Sequence, residues 1–298
     1  MGVQQVPFGM VNIMRFLLTC VMPFLLLSCG TVSHRYVPAV FSLKYPVVLV
    51  HGIVAHDRGG IINFWGGIPE KLQENNIKVY FGNTDSWGSY ESNAEILKAT
   101  IDRILDETKS EKVNIIAHSK GGIDSRFMIW KYNYGDKVAS LTTISTPHHG
   151  SEIADLIFEQ DIYSQIEKNV LEIFGYLYGD LNPDFYNVNL QLTTEKMKEF
   201  NENIEMDAEV YYQCLYTAMR SPFNDPLFFY SFLYLKIIVG NNDGIVSERS
   251  ARWGNNIRKI EGGISHADII DLKMKQISGI NIPDIYMNIV KDLSEKGF

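Results

Sequence analysis

Ser119, Asp243 and His266 are three side chains whose types and order in the chain could do chemistry together. A serine hydroxyl is a weak nucleophile until an imidazole takes its proton and a carboxylate orients that imidazole. The chemistry would be acyl transfer, with attack on a carbonyl carbon and a covalent intermediate. Ser119 lies in Val113-Asn114-Ile115-Ile116-Ala117-His118-Ser119-Lys120-Gly121-Gly122, where an apolar run stops abruptly and a helix-like stretch, Ile123 to Tyr132, follows. Strand, sharp turn and helix in that order are the setting of the G-x-S-x-G nucleophile elbow, here with Ala117 in place of the first glycine. Such a turn points the hydroxyl into open space, and its neighbours two residues away must be small. The helix behind it presents unpaired N–H groups and a positive dipole end where an oxyanion would form.

The base is sought among seven histidines, of which only His266 lies beyond residue 149. It stands in Gly263-Ile264-Ser265-His266-Ala267-Asp268, a loop before a helix, where an imidazole can reach the serine. His118 points to the opposite side of its strand and reads as a core residue. His51 reads as a prop for the oxyanion loop. His148 and His149 follow a strand end, where they either line the site or hold structure. The orienting acid should follow the serine and precede the base, and Asp243, in the turn-forming Gly240-Asn241-Asn242-Asp243-Gly244, is the best carboxylate. Asp271 is too close to His266 for that part, as is Asp268, which could instead bind a cation. Oxyanion donors should be two backbone amides, Lys120 directly after the serine and Ile53 in the loop after the first strand. The Lys120 ammonium is unhelpful beside a helix N-terminus, and either a nearby carboxylate or a lipid head group would serve it.

Elements must bring these residues together. Tyr45 to Val50 reads as a fully buried strand ending at His51-Gly52. A helix from about Phe64 to Glu74 and a strand from Ile77 to Phe81 follow. Ser92 and Glu95 read as a capping box ahead of Ala94, Leu97, Ile101, Ile104 and Leu105 at helical spacing. The Val113 strand, the elbow helix and a further apolar run, Val138 to Ile144, complete an alternation that implies a parallel sheet. Sites in such sheets lie beyond the carboxyl ends of the strands, where His51-Gly52 and Ser119 both fall. From 150 to 207 the rhythm breaks into helical stretches, Glu152–Glu159, Gln165–Tyr178 and Thr193–Asn203, read as an inserted cap. Val170, Ile173, Phe174 and Leu177 would share its inner face. Strands are expected to resume at Glu209 to Tyr216 and around Leu233 to Val239.

The 298 residues, 46% hydrophobic, suffice for a large core. A net charge of −8 without a basic cluster argues against nucleic acid as a partner. Sixteen Tyr and sixteen Phe suit a protein that handles apolar ligands as well as one with an aromatic core. Residues 1–28 read as a signal segment: Arg15 precedes Phe16 to Leu27, too short for a spanning helix, which needs roughly 20 residues. The stretch before Arg15 is uncharged, which makes Met10 and Met14 alternative starts. Leu26-Leu27-Ser28-Cys29-Gly30 resembles the lipobox of bacterial lipoproteins and implies a mature chain lipidated on Cys29, with residues 29–44 as a tether; the alternative is a plain secretory signal. The protein is thus expected to be exported, anchored at a membrane surface or secreted. With Cys20 removed and Cys29 acylated, Cys214 has no disulfide partner.

Taken jointly, these pieces identify a family resemblance. Pro46-Val47-Val48-Leu49-Val50-His51-Gly52-Ile53, the elbow segment, Val138 to Ile144, Thr146-Pro147-His148-His149-Gly150-Ser151-Glu152-Ile153-Ala154-Asp155-Leu156, Leu192-Thr193-Thr194-Glu195, Asn242-Asp243-Gly244-Ile245-Val246-Ser247 and Ser265-His266-Ala267-Asp268 resemble the bacterial true lipases of the α/β-hydrolase fold, the Pseudomonas, Burkholderia and Proteus type. The resemblance spans residues 45 to about 275. It implies a mostly parallel central sheet flanked by helices, with a lid within the inserted helices. It also implies Ser119 as nucleophile, Asp243 as acid, His266 as base, and Ile53 and Lys120 as oxyanion donors. A structural calcium is implied too, held by Asp225 and Asp268 with the carbonyls of Leu272 and Gln276, oxygen ligands of the kind that ion takes. Arg249 stands where many members carry a disulfide cysteine, and the loop from Val54 to Ile61 differs from the usual one. The activity implied is a serine carboxylic-ester hydrolase acting on acylglycerols, a triacylglycerol lipase needing no organic cofactor. The alternatives are a short-chain esterase or acyltransferase on the same triad, and a non-enzymatic surface lipoprotein that binds lipid.

Overall fold

In a computed structural model, which describes residues 41–53, 57, 64–159 and 184–298, six parallel strands form one sheet in the order β2-β1-β3-β4-β5-β6. Its first four strands are β1 Val47–Val50, β2 Val79–Phe81, β3 Val113–His118 and β4 Val138–Ile144. β5 is Tyr211–Thr217 and β6 is Ile257–Ile260. β1, β3 and β4 are buried at every residue, which is why their sequences run apolar without alternation.

The period of two survives in what each side chain touches. Val47, Leu49 and Ile116 pack on one face with Ile68 and Leu72 of α1 (Ile68–Glu74) and with Tyr286, Ile289 and Leu293 of α8 (Ile282–Glu295). Val48, Val50, Ile115 and Ala117 pack on the other with Leu97, Ile101 and Ile104 of α2 (Tyr90–Thr108) and Met128 of α3 (Lys120–Tyr132). The register Val48 to Ile115 and Val50 to Ala117 keeps those faces aligned across the sheet. Each fully buried Val, Leu or Ile contributes about 1.5–3 kcal/mol, so the two faces together fix where β1 and β3 end. The fold is that of an α/β-hydrolase, a three-layer arrangement with helices on both faces of a parallel sheet.

Between β4 and β5 the described residues form three helices and no strand: α4 Glu152–Glu159, α5 Phe185–Gln191 and α6 Thr194–Asn203. Val188, Leu192, Met197 and Phe200 from this stretch pack around Ile123 of α3. The expected helix Gln165–Tyr178, with Val170, Ile173, Phe174 and Leu177, lies outside the described residues, as do the signal segment, Cys29 and most of the tether. Among the described residues no helix is long and apolar enough to cross a membrane.

Two local expectations are corrected, and one strand joins the sheet without having been expected. Leu233 to Val239 is not a strand but belongs to α7, Phe229–Ile238. The run Phe-Tyr-Ser-Phe-Leu-Tyr-Leu-Lys-Ile-Ile is apolar all round, and periodicity cannot separate a buried strand from a buried helix. What decides is the start signal upstream, where the Asp225 carboxylate accepts from the Leu227 amide and Pro226 opens a 3-10 turn that feeds the helix. The cap of α2 is Ser89, whose hydroxyl accepts from the Ser92 amide at 3.2 Å, so Ser92 and Glu95 lie inside the helix rather than at its edge. The sixth strand, Ile257–Ile260, carries Arg258 and Lys259 at the sheet edge, where charge discourages further pairing.

Candidate active site

Ser119 occupies the turn between β3 and α3 with φ 55° and ψ −131°, a conformation that side chains beyond glycine rarely take. Two backbone bonds hold it there: its amide donates to the Ile144 carbonyl at 3.0 Å, and its carbonyl accepts from the Gly122 amide at 3.0 Å. The small neighbours have specific reasons. A Cβ on Gly121 would lie 2.3 Å from the His51 carbonyl oxygen, and one on Gly52 would lie 2.7 Å from Ser119 Cβ. The elbow is therefore wedged against the end of β1. Ala117 needs no such exemption, because its methyl is buried in the core on the α2 face.

His266 and Asp243 arrive from two later loops. Asp243 follows α7 in a turn closed by a bridge between Asn242 and Ser247. His266 follows β6, and its amide donates to the Asp243 carbonyl at 2.9 Å, pinning the loops together. His266 Nε2 lies 3.0 Å from Ser119 Oγ, and Nδ1 lies 2.8 Å from Asp243 Oδ2. A carboxylate only accepts, so Nδ1 carries the proton and Nε2 is left as the acceptor facing the serine hydroxyl. Asp243 is 1% exposed, and its other oxygen accepts from the Ile245 and Val246 amides at 3.0 and 2.8 Å, which balance a buried charge. The predicted nucleophile, base and acid are therefore side by side. The Lys120 amide opens α3, where first-turn N–H groups lack intrahelical partners.

The remaining candidates have distinct posts. Lys120 is buried, with Nζ 2.9 Å from both oxygens of Asp124, and Asn93 donates to the same carboxylate at 2.9 Å, so of its two alternatives the side chain takes the carboxylate. His51 is buried against Phe64 with Nε2 2.9 Å from the Thr84 carbonyl. His118 is buried too, and its ring centroid lies 4.5 Å from that of His266. Burial, then the neighbouring His266, hold its pKa well below the usual imidazole range, so a neutral ring backs the base. His148 is tied to Thr143 and Arg126 and stacked on Trp253, a structural role. His149 Nε2 lies 3.1 Å from the Arg252 carbonyl. Arg249 donates to Glu152 Oε1 at 3.1 Å.

Asp225 and Asp268 do converge, each 1% exposed, but their geometry does not fit the implied calcium. The Lys273 ammonium lies 2.5 Å from Asp225 Oδ2 and 2.8 Å from Asp268 Oδ1, in the position a cation would take. Ser265 Oγ donates to the same Asp225 oxygen at 2.6 Å. Among the described residues no cluster of three or more His, Cys, Asp or Glu could hold a metal. The sequence reading missed Lys273, since nothing local in it marks a partner of Asp225. It also missed the approach of His118 to His266.

Residues 87–176 match the PGAP1-like alpha/beta domain. Over 175 residues the chain is 34% identical to a triacylglycerol lipase of Pseudarthrobacter phenanthrenivorans, a match covering 54% of each chain; the chain thus spans about half the length of that relative. It is 30% identical over 262 residues to triacylglycerol lipase 2 of Saccharomyces cerevisiae, covering 80% of this chain and 75% of that one. In three dimensions it superposes on the mature form of a Bacillus licheniformis lipase with a TM-score of 0.63 and 25% identity, covering 88% of this chain and 96% of the other.

Proposed function

The chain belongs to the lipase family of α/β-hydrolases, and on that premise we propose that it hydrolyses the carboxylic esters of acylglycerols through an acyl-enzyme on Ser119. The observation that carries the reading is a single imidazole placed 3.0 Å from the Ser119 hydroxyl and 2.8 Å from the Asp243 carboxylate. In the first half-reaction His266 Nε2 takes the hydroxyl proton while Ser119 Oγ attacks the ester carbonyl carbon. The oxyanion is held by the Ile53 and Lys120 amides, where losing one donor costs about 3 kcal/mol of transition-state stabilisation. Collapse of that intermediate breaks the bond to the alcohol oxygen, and the imidazolium returns its proton to the leaving alkoxide. Asp243 holds the ring in the required tautomer and offsets its positive charge without itself taking the proton. Water, deprotonated by His266, then attacks the acyl carbon and releases the carboxylic acid and free Ser119. No organic cofactor enters these steps.

The test is hydrolysis of p-nitrophenyl esters of graded chain length by the purified protein. We expect turnover of long-chain esters, and a fall of at least about 10³-fold in kcat for Ser119→Ala. Undiminished activity in that variant sinks the mechanism, and a strong preference for acetate turns the reading to a short-chain esterase.

The membrane-surface location rests on Leu26-Leu27-Ser28-Cys29-Gly30 alone. It requires labelled palmitate to enter the protein expressed in bacteria and to be absent from Cys29→Ser; equal labelling of both, or of neither, rules it out.

A further inference from the structure

We propose that Lys273 is a positioning residue for His266, its ammonium serving as a built-in cation that clamps the base's loop to the segment after β5. Asp225 opens the 3-10 turn Pro226–Phe228 that leads into α7, and Asp268 lies two residues past the base, so the two carboxylates belong to segments with no sequence continuity. Lys273 touches both, at 2.5 and 2.8 Å. Ser265, the residue before His266, donates to Asp225 at 2.6 Å, and its oxygen accepts from the Asp268 amide at 3.0 Å. Every member of this cluster thus reaches the base within two residues or through one side chain.

The charges explain why a cation is needed there. Two carboxylates, each about 1% exposed, stand side by side away from water, and such a pair calls for a positive charge between them. An ammonium supplies three donors and a single charge on the same chain. Calcium would supply two charges but asks for roughly six to eight oxygens, and it could enter only by displacing the lysine. A side-chain cation is never lost to dilution or chelation, so the clamp holds wherever the protein goes.

The experiment is steady-state hydrolysis of a p-nitrophenyl ester by the full purified protein after EDTA treatment, with and without added calcium chloride. It uses wild type, Lys273→Arg and Lys273→Ala, with the thermal midpoint read alongside. Wild type keeps kcat and midpoint through both treatments, and Lys273→Arg, which keeps the charge, stays closer to it than Lys273→Ala does. Without calcium, Lys273→Ala loses about tenfold in kcat with KM changed by less than about twofold. Its midpoint falls by about 5 °C, and calcium at millimolar concentration restores the larger part of both. A wild type that loses activity or midpoint to EDTA and regains it with calcium overturns the proposal. So does a Lys273→Ala that matches wild type in EDTA, or one that calcium leaves unchanged. If Lys273→Ala does not fold, the chelation of wild type and the charge-keeping Lys273→Arg still decide. The kinetic arm rests on the ester-hydrolase reading and the midpoint does not. A protein inactive on every ester whose midpoints follow this pattern therefore removes that reading and keeps the clamp.

Discussion

Ser119 is held in a backbone conformation that costs a side-chain-bearing residue about 1–3 kcal/mol, and the surroundings that enforce it are specific. Gly121 is walled in by backbone, since a methyl there would meet the carbonyl oxygens of His51 at 2.3 Å and Val50 at 2.6 Å. Both obstacles are backbone at the end of β1, so neither can rotate away, and relief must come from moving the elbow or the strand end. Gly121→Ala is therefore expected to lower kcat on a p-nitrophenyl ester by about a hundredfold and to destabilise by about 1–3 kcal/mol in urea unfolding. Ala117→Gly is the contrast: it deletes a buried methyl from the core, so stability drops by about 1–2 kcal/mol while kcat stays within about threefold. Equal activity in Gly121→Ala and wild type would show that the elbow does not need this contact. The same geometry explains how Ala117 can stand where the motif calls for glycine. That position faces the core, whereas the second glycine faces another strand's carbonyls.

At the scale of elements, legibility followed burial. β1, β3 and β4 are buried on both faces, so their continuous apolar runs, the first two closed by His51-Gly52 and the elbow, announced parallel strands. The same rule misled at α7, where an all-round apolar helix gives the same signal as a buried strand. There the decisive information was the Asp225 and Pro226 start several residues earlier. β6 escaped notice for the opposite reason. Ile257–Ile260 is exposed at its first two residues and takes its place only by pairing with β5, a contact without a local signature. Asp243 was found through its turn-forming neighbours even though the element before it proved to be a helix. Chain order and turn chemistry thus located the residue independently of the element.

Across the whole molecule, the elbow meets two loops that lie more than a hundred residues further along the chain, because parallel strands deliver their following loops to one edge of the sheet. Order along the chain, with the elbow pattern and turn chemistry, was enough to choose Ser119, Asp243 and His266 from many serines and acids and seven histidines. What it could not supply was the company they keep. Lys273 between Asp225 and Asp268, Asn93 and Lys120 on Asp124, and His118 against His266 are contacts made only by folding. Asp225 and Asp268 make the point: the resemblance paired these carboxylates, and the lysine that joins them had no local mark. Whether this convergence makes one serine uniquely nucleophilic is read by intact-mass and peptide mass spectrometry of the folded protein after brief exposure to a fluorophosphonate. The expected result is a single adduct on the peptide bearing Ser119, absent in Ser119→Ala and formed far more slowly in His266→Ala. A folded wild type that takes up no adduct, or an adduct that persists in Ser119→Ala, would contradict it.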